Sequence, residues 1–194
     1  MNSLDRILPL EILEKINSKH LDLELTLTGV DCCGSWPKCK VLANDIKIFD
    51  GNVIREKSIK FSFVFKNVES VVIKIVRYGK TSMDTKIDIA DKITDNQILS
   101  IGTMKINGVD LIKNNFIYTG KYTMHLSPAQ KQYFLDHDID TENSNYHFYE
   151  NGEWHLYLEF PILTYIINKR KKLESYELIS YQQTLNNIIN KLGI

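Results

Sequence analysis

At 194 residues the chain can bury a core without disulfides or metals, and one main domain is the default at this length. Lysine plus arginine equal aspartate plus glutamate at 24 each, so no strong overall field draws the protein toward nucleic acid or an anionic membrane. No apolar run approaches the roughly 20 residues that span a bilayer. The three cysteines, Cys32, Cys33 and Cys39, are odd in number and close together, which suits free thiols in a reducing compartment better than a disulfide framework.

Residues 1–19 read as an N-terminal arm, and Met1 to Ser18 is acidic and helical-looking rather than a basic leader with an apolar stretch. Within it Pro9 opens a short amphipathic helix, about residues 9 to 18, with Ile12, Leu13 and Ile16 on one face. So small an apolar face holds a helix only when it docks on another surface.

From Leu21 the period changes to two. Leu21, Leu23, Leu25 and Leu27 alternate with Asp22, Glu24, Thr26 and Thr28 until Gly29 breaks the run, the clearest strand in the chain. A loop with Gly34 and Pro37 follows, then Lys40 to Leu42 and Ile46 to Phe49, a hairpin turning at Asn44-Asp45. Ile59, Phe61, Phe63 and Phe65 alternate again, and Val71 to Val76 form a β-branched run; the two are expected to pair across the Asn67 to Ser70 turn. Short apolar runs at Ile87 to Ile89, Ile98 to Ile101 and Met104 to Ile106 are each bounded by Asp, Asn or Gly, a spacing that points to a sandwich or barrel. Ser127 to Asn151 is polar and aromatic and reads as a long loop with one helical turn after Pro128, and Trp154, Leu156, Leu158 and Phe160 alternate into a last strand that stops at Pro161.

The predicted fold is therefore an all-β antiparallel sandwich, jelly-roll-like, over residues 20–168, with a helical arm at each end. The C-terminal unit, 169–194, opens with the basic run Lys169 to Lys172. It then spaces Leu178, Tyr181, Leu185, Ile188 and Leu192 as the seam of an amphipathic helix.

Few residue patterns carry chemistry. Cys32, Cys33 and Cys39 with His20 could supply three sulfurs and a nitrogen to zinc, but adjacent cysteines without a C-x-x-C pair match such a site poorly, and loop or core packing is the simpler reading. Asp136, Asp138 and Asp140 open like a calcium loop, yet Thr141 stands where glycine is needed and His147 where a bidentate glutamate is needed. No histidine adjoins a nucleophile motif, and no glycine loop of the phosphate-cradling kind occurs. No metal site, no catalytic residue and no enzyme activity are assigned.

The order of the central segment carries a resemblance. The opening strand to Gly29, then Trp36-Pro37, Ile59 to Phe65, Val71 to Ile75, Asp84-Thr85, Asp95 before Ile98, Ile106-Asn-Gly-Val-Asp110 and Tyr149-Glu-Asn-Gly-Glu-Trp154 resemble small β-sandwich proteins of tailed bacteriophages. Their fold is similar to calcium-dependent, xylan-binding carbohydrate-binding modules. The resemblance implies a virion structural component of head, neck, tail or baseplate, made in the host cytoplasm. It would be present in multiple copies or as a homo-oligomer and assemble with other virion proteins, with Leu178, Tyr181, Leu185, Ile188 and Leu192 as the contact. The alternative it implies is a glycan-binding module for host attachment through Trp36, Asp84, Thr85 and Trp154, and calcium enters only through that alternative.

Overall fold

The computed structural model describes residues 19–90 and 92–172. The expected N-terminal helix and the Leu178 to Leu192 seam lie outside the described residues. The rest is an antiparallel β-sandwich of two facing sheets, as the alternating runs predict. One sheet has the order β12 (His147–Phe148), β8 (Ile98–Ile106), β1 (His20–Val30), β4 (Glu56–Val64), with β9 (Val109–Asp110) paired to β8. The other has the order β11 (Glu142–Asn143), β10 (Lys121–Met124), β13 (Gly152–Glu159), β5 (Ser70–Tyr78), β2 (Lys38–Ala43), β3 (Ile46–Asn52). A separate hairpin, β6 (Thr85–Ile87) and β7 (Ile93–Asn96), stands off both sheets.

Period-two alternation explains the core. Leu21, Leu23, Leu25 and Leu27 are buried, and so are Val71, Ile73 and Ile75 of β5 and Trp154, Leu156 and Leu158 of β13, where Ile75 faces Trp154 and Ile73 faces Leu156 in register. Full burial of each such side chain contributes about 1.5–3 kcal/mol before the entropy of ordering it. The β2–β3 hairpin turns at Asn44-Asp45 as the sequence predicts, with Asn44 in the left-handed region at φ 51°.

Two short apolar runs of the sequence prove to be one strand. In β8, Leu99 and Ile101 are buried on odd positions, and Met104 and Ile106 on even ones. The register with β1 passes from Leu27 opposite Ile101 to Thr26 opposite Thr103, so Gly102 is the extra residue of a bulge. One inserted residue reverses which face each later side chain meets, so the strand reads as two.

Other expectations are corrected. The runs at Ile59 to Phe65 and Val71 to Val76 do not pair with each other: β4 pairs β1 in one sheet, and β5 pairs β13 and β2 in the other. The connection near Asn67, itself at φ 59°, is a crossover between sheets. The segment after Ser127 holds a full α-helix, α1 (Pro128–Asp136), in which Ser127 accepts from the Gln130 amide while the Gln130 side chain accepts from the Ser127 amide. The chain leaves β13 through a cis Phe160–Pro161 bond and enters a second helix, α2, described over 162–172. Lys169 to Lys172 thus lie on α2, and Ile162 and Ile166 dock it on the sandwich core.

Glycines mark close approaches. A Cβ on Gly120 would lie 2.3 Å from Cζ2 of Trp154, and one on Gly152 would lie 2.4 Å from the Thr123 carbonyl oxygen. Both stand beside the large side chains that close one end of the core, where β5 ends, β13 begins and β10 ends in register. The hairpin β6–β7 and helix α1 leave the sandwich at this same end.

Candidate functional site

Alternation along β5 continues past Ile75 and sets Arg77 on the core-facing side, 1% exposed. Its guanidinium spans the two sheets: Nη1 donates to the Phe148 carbonyl of β12, and Nη2 donates to the carbonyl and Oε1 of Gln97 at 2.7 and 3.1 Å. Burial lowers the Arg77 pKa from its ordinary value, while Tyr122, Glu150 and Asp84 nearby act to raise it. Gln97 is buried too, and its amide Nε2 donates to the Ser35 carbonyl, to Ser35 Oγ and to Asp84 Oδ1. A buried cation held by carbonyl oxygens and a bridging amide fixes the end of the sandwich in one arrangement.

Asp84 ends this chain of bonds. It is buried, and its Oδ2 accepts from the Thr81 amide at 2.7 Å and from Thr81 Oγ1 at 3.0 Å. Burial acts to raise its carboxyl pKa, but the donors Ser35 and Thr81 outweigh it and hold the group below its ordinary value. The carboxylate the sequence places at a ligand surface is turned inward, where its oxygens are already engaged. It does not fit a calcium site, which needs several free oxygens. Asp136 and Asp140 of the Asp136-x-Asp138-x-Asp140 run likewise accept from Gln132 and from the Glu142 amide.

In front of Asp84 lies a cavity of about 350 Å³ walled by Lys80, Thr81, Ser82, Thr85, His125, Ser127, Gln130, Glu150 and Asn151. Three segments meet there. Lys80 donates from its amide to Asn151 Oδ1 at 2.9 Å, and Asn151 Nδ2 donates back to the Lys80 carbonyl at 2.9 Å. The Lys80 side chain is 4% exposed, and its ammonium donates to the Tyr149 carbonyl at 2.6 Å and to Glu150 Oε1 at 3.1 Å. Burial lowers its pKa, with the Glu150 carboxylate acting to raise it. Every wall residue offers polar groups.

Of the four residues predicted to bind a ligand, Thr85 lines this cavity, with its hydroxyl donating to Asn96 Oδ1 at 2.9 Å. Asp84 stands behind it and shapes it through Thr81. Trp36 is half-buried in the β1–β2 loop and is not part of the wall. Trp154 is completely buried, with its indole Nε1 unpartnered, so it belongs to the core and presents no face to a ligand. The sequence reading missed Lys80, His125, Glu150 and Asn151, which come from three segments, the outer two 71 residues apart; it also missed Arg77, whose signal was a charge at an inward position of the Val71, Ile73, Ile75 series.

The rim is different in kind. On the β6–β7 hairpin Ile87, Ile89 and Ile93 are 61%, 108% and 63% exposed, Met83 before it is 81% exposed, and on α1 Tyr133 and Leu135 are 55% and 74% exposed. Ile87 and Ile93 are cross-strand neighbours, and contiguous apolar side chains this open mark interaction surfaces more often than chance. No described helix is long and apolar enough to cross a membrane.

No family model matches the chain, and no curated protein matches it. Among solved structures, a calcium-dependent carbohydrate binding module, vCBM60 in its selenomethionine form, matches with a TM-score of 0.40 and 7% identity, over 70% of this chain and 88% of that one. At that score the likeness assigns neither a ligand nor a site. What the fold and the site define is an antiparallel β-sandwich whose one end carries a polar recess between an apolar hairpin and a capped helix.

Proposed function

We propose that the protein is a non-enzymatic recognition domain whose polar recess takes a hydroxyl-rich ligand, a sugar unit of a surface glycan. The observation that carries this is the wall itself: the Ser82 hydroxyl, the His125 imidazole and the Gln130 amide nitrogen are there to bond a ligand, and the Thr81, Thr85 and Ser127 hydroxyl oxygens and the Glu150 carboxylate, each already in one bond, keep lone pairs that accept. A ligand that bonds all round matches such a wall, and an apolar one would strand the wall's polar groups. Hydrolysis of a glycosidic bond calls for two carboxylates flanking it. In this wall Glu150 is the one carboxylate and is ion-paired to Lys80, while Asp84 is spent on Thr81 and Gln97. Binding without turnover is the reading that follows.

The test is a glycan array probed with the full chain. Retained glycans should lose about tenfold in affinity with His125→Ala and with Ser82→Ala, at unchanged melting temperature, and chelation of calcium should leave binding intact. Failure to retain any glycan above background refutes the reading.

The exposed apolar hairpin supports a second reading, protein–protein assembly, which is the part of the tailed-phage structural role that a surface of this kind bears on. In that role Ile87, Ile89 and Ile93 would be buried against a neighbouring subunit. The two readings separate cleanly, since one needs the recess and the other the rim.

A further inference from the structure

Beside the recess, the turn after β1 brings together three side chains that the proposed function does not use. Cys32 and Ser35 form a bridge of two backbone hydrogen bonds around Cys33 and Gly34, which both take positive φ, 54° and 81°. A two-residue turn with both central residues left-handed is the tight kind that also closes β-hairpins. It sets the two neighbouring thiols on one side, 3.8 Å apart, where extended chain would point them to opposite faces. Asp95 of β7 completes the group: the two sulfurs and a carboxylate oxygen lie within 4.8 Å of one another. Cys32 is buried but is not a member of the apolar cluster that contains Cys39.

We propose that Cys32 Sγ, Cys33 Sγ and the Asp95 carboxylate bind one thiophilic divalent cation of the zinc type. Two thiolates bound tetrahedrally at about 2.3 Å stand about 3.8 Å apart, the separation seen here. Sulfur donors select zinc over calcium or magnesium, which take oxygen ligands. Binding releases the two thiol protons to solvent. Two thiolates and a carboxylate against a divalent ion leave one negative charge, which the Lys86 ammonium, 3.8 Å from Asp95 Oδ2, offsets. Three protein ligands leave the fourth position to water. The ion would tie β7 to the β1–β2 loop and so hold the hairpin that carries the exposed isoleucines. Cys39 and His20, the other half of the set considered from sequence, are not members: Cys39 is in the core, and His20 bonds to Ser62 at 3.0 Å.

The full chain, kept reduced with a non-chelating phosphine and stripped of metal, is titrated with zinc against a chromophoric competitor, and with cobalt(II) as a spectroscopic probe. The expected result is one equivalent of zinc, with thiolate-to-cobalt charge-transfer bands. Affinity should fall at least tenfold in Cys33→Ser and in Asp95→Asn, both partly or fully exposed positions, and stay unchanged in His20→Gln. Circular dichroism of each variant separates lost binding from lost folding. No zinc uptake by the reduced chain, undiminished affinity in Cys33→Ser, or a Cys32–Cys33 disulfide as the one modification found would each overturn the proposal.

Discussion

Single residues at the closed end of the sandwich decide how it responds to acid. Asp84 is the clearest case, because its carboxylate accepts from Thr81 and Gln97 in a buried place and its pKa is held below the ordinary value. A carboxyl depressed in the folded state contributes stability that is fully present above its unfolded pKa of about 3.9 and is lost as pH falls through the lower folded value. Asp50, which accepts from the Tyr78 hydroxyl at 2.7 Å, and Glu153, which is bonded to His155 and Lys74, are depressed in the same direction. Asp84→Asn should therefore lower stability at pH 7 by about 1–3 kcal/mol through the lost charged acceptor, and its stability should change less with pH below 4 than that of the unaltered chain. Urea denaturation across that range checks both, and parallel acid limbs would contradict the role given to Asp84.

At the scale of the element, the β6–β7 hairpin is joined to neither main sheet and has its largest apolar side chains in water. If its surface is an assembly contact, Ile89→Asp together with Ile93→Asp should abolish self-association, or incorporation into a particle, and leave the unfolding free energy within about 0.5 kcal/mol, since exposed positions contribute little to the fold. Light scattering after gel filtration, with thermal melts of both proteins, reads the two effects separately. Much of each element was legible beforehand: the β1 alternation, the Asn44-Asp45 turn and the helix start at Ser127-Pro128 are local signals, set by the pleat, by φ and by capping. The pairing of β4 and β5 was not, because a short polar connection looks the same in sequence whether the chain folds back as a hairpin or crosses to the facing sheet. The bulge at Gly102 was hidden for a similar reason, since its only trace is a change of parity.

For the whole molecule, the core runs from Leu21 to Ile166, with α2 docked on it by Ile162 and Ile166. Deleting residues 174–194 should leave the cooperative unfolding of the sandwich in place, as measured by calorimetry, while removing any assembly that the Leu178 to Leu192 seam supports; collapse of the transition would show that the tail belongs to the core. By itself the sequence determined the all-β class and the strands that alternate most strictly, because burial on one face of a pleated strand demands a period of two. Only the tertiary structure decided that Trp154 is core, that Asp84 faces inward, that Lys80, His125, Glu150 and Asn151 share one recess and that Asp95 meets Cys32 and Cys33. Those are encounters between residues distant along the chain, and they are settled by how the strands pair and where the connections between them converge at one end of the sandwich.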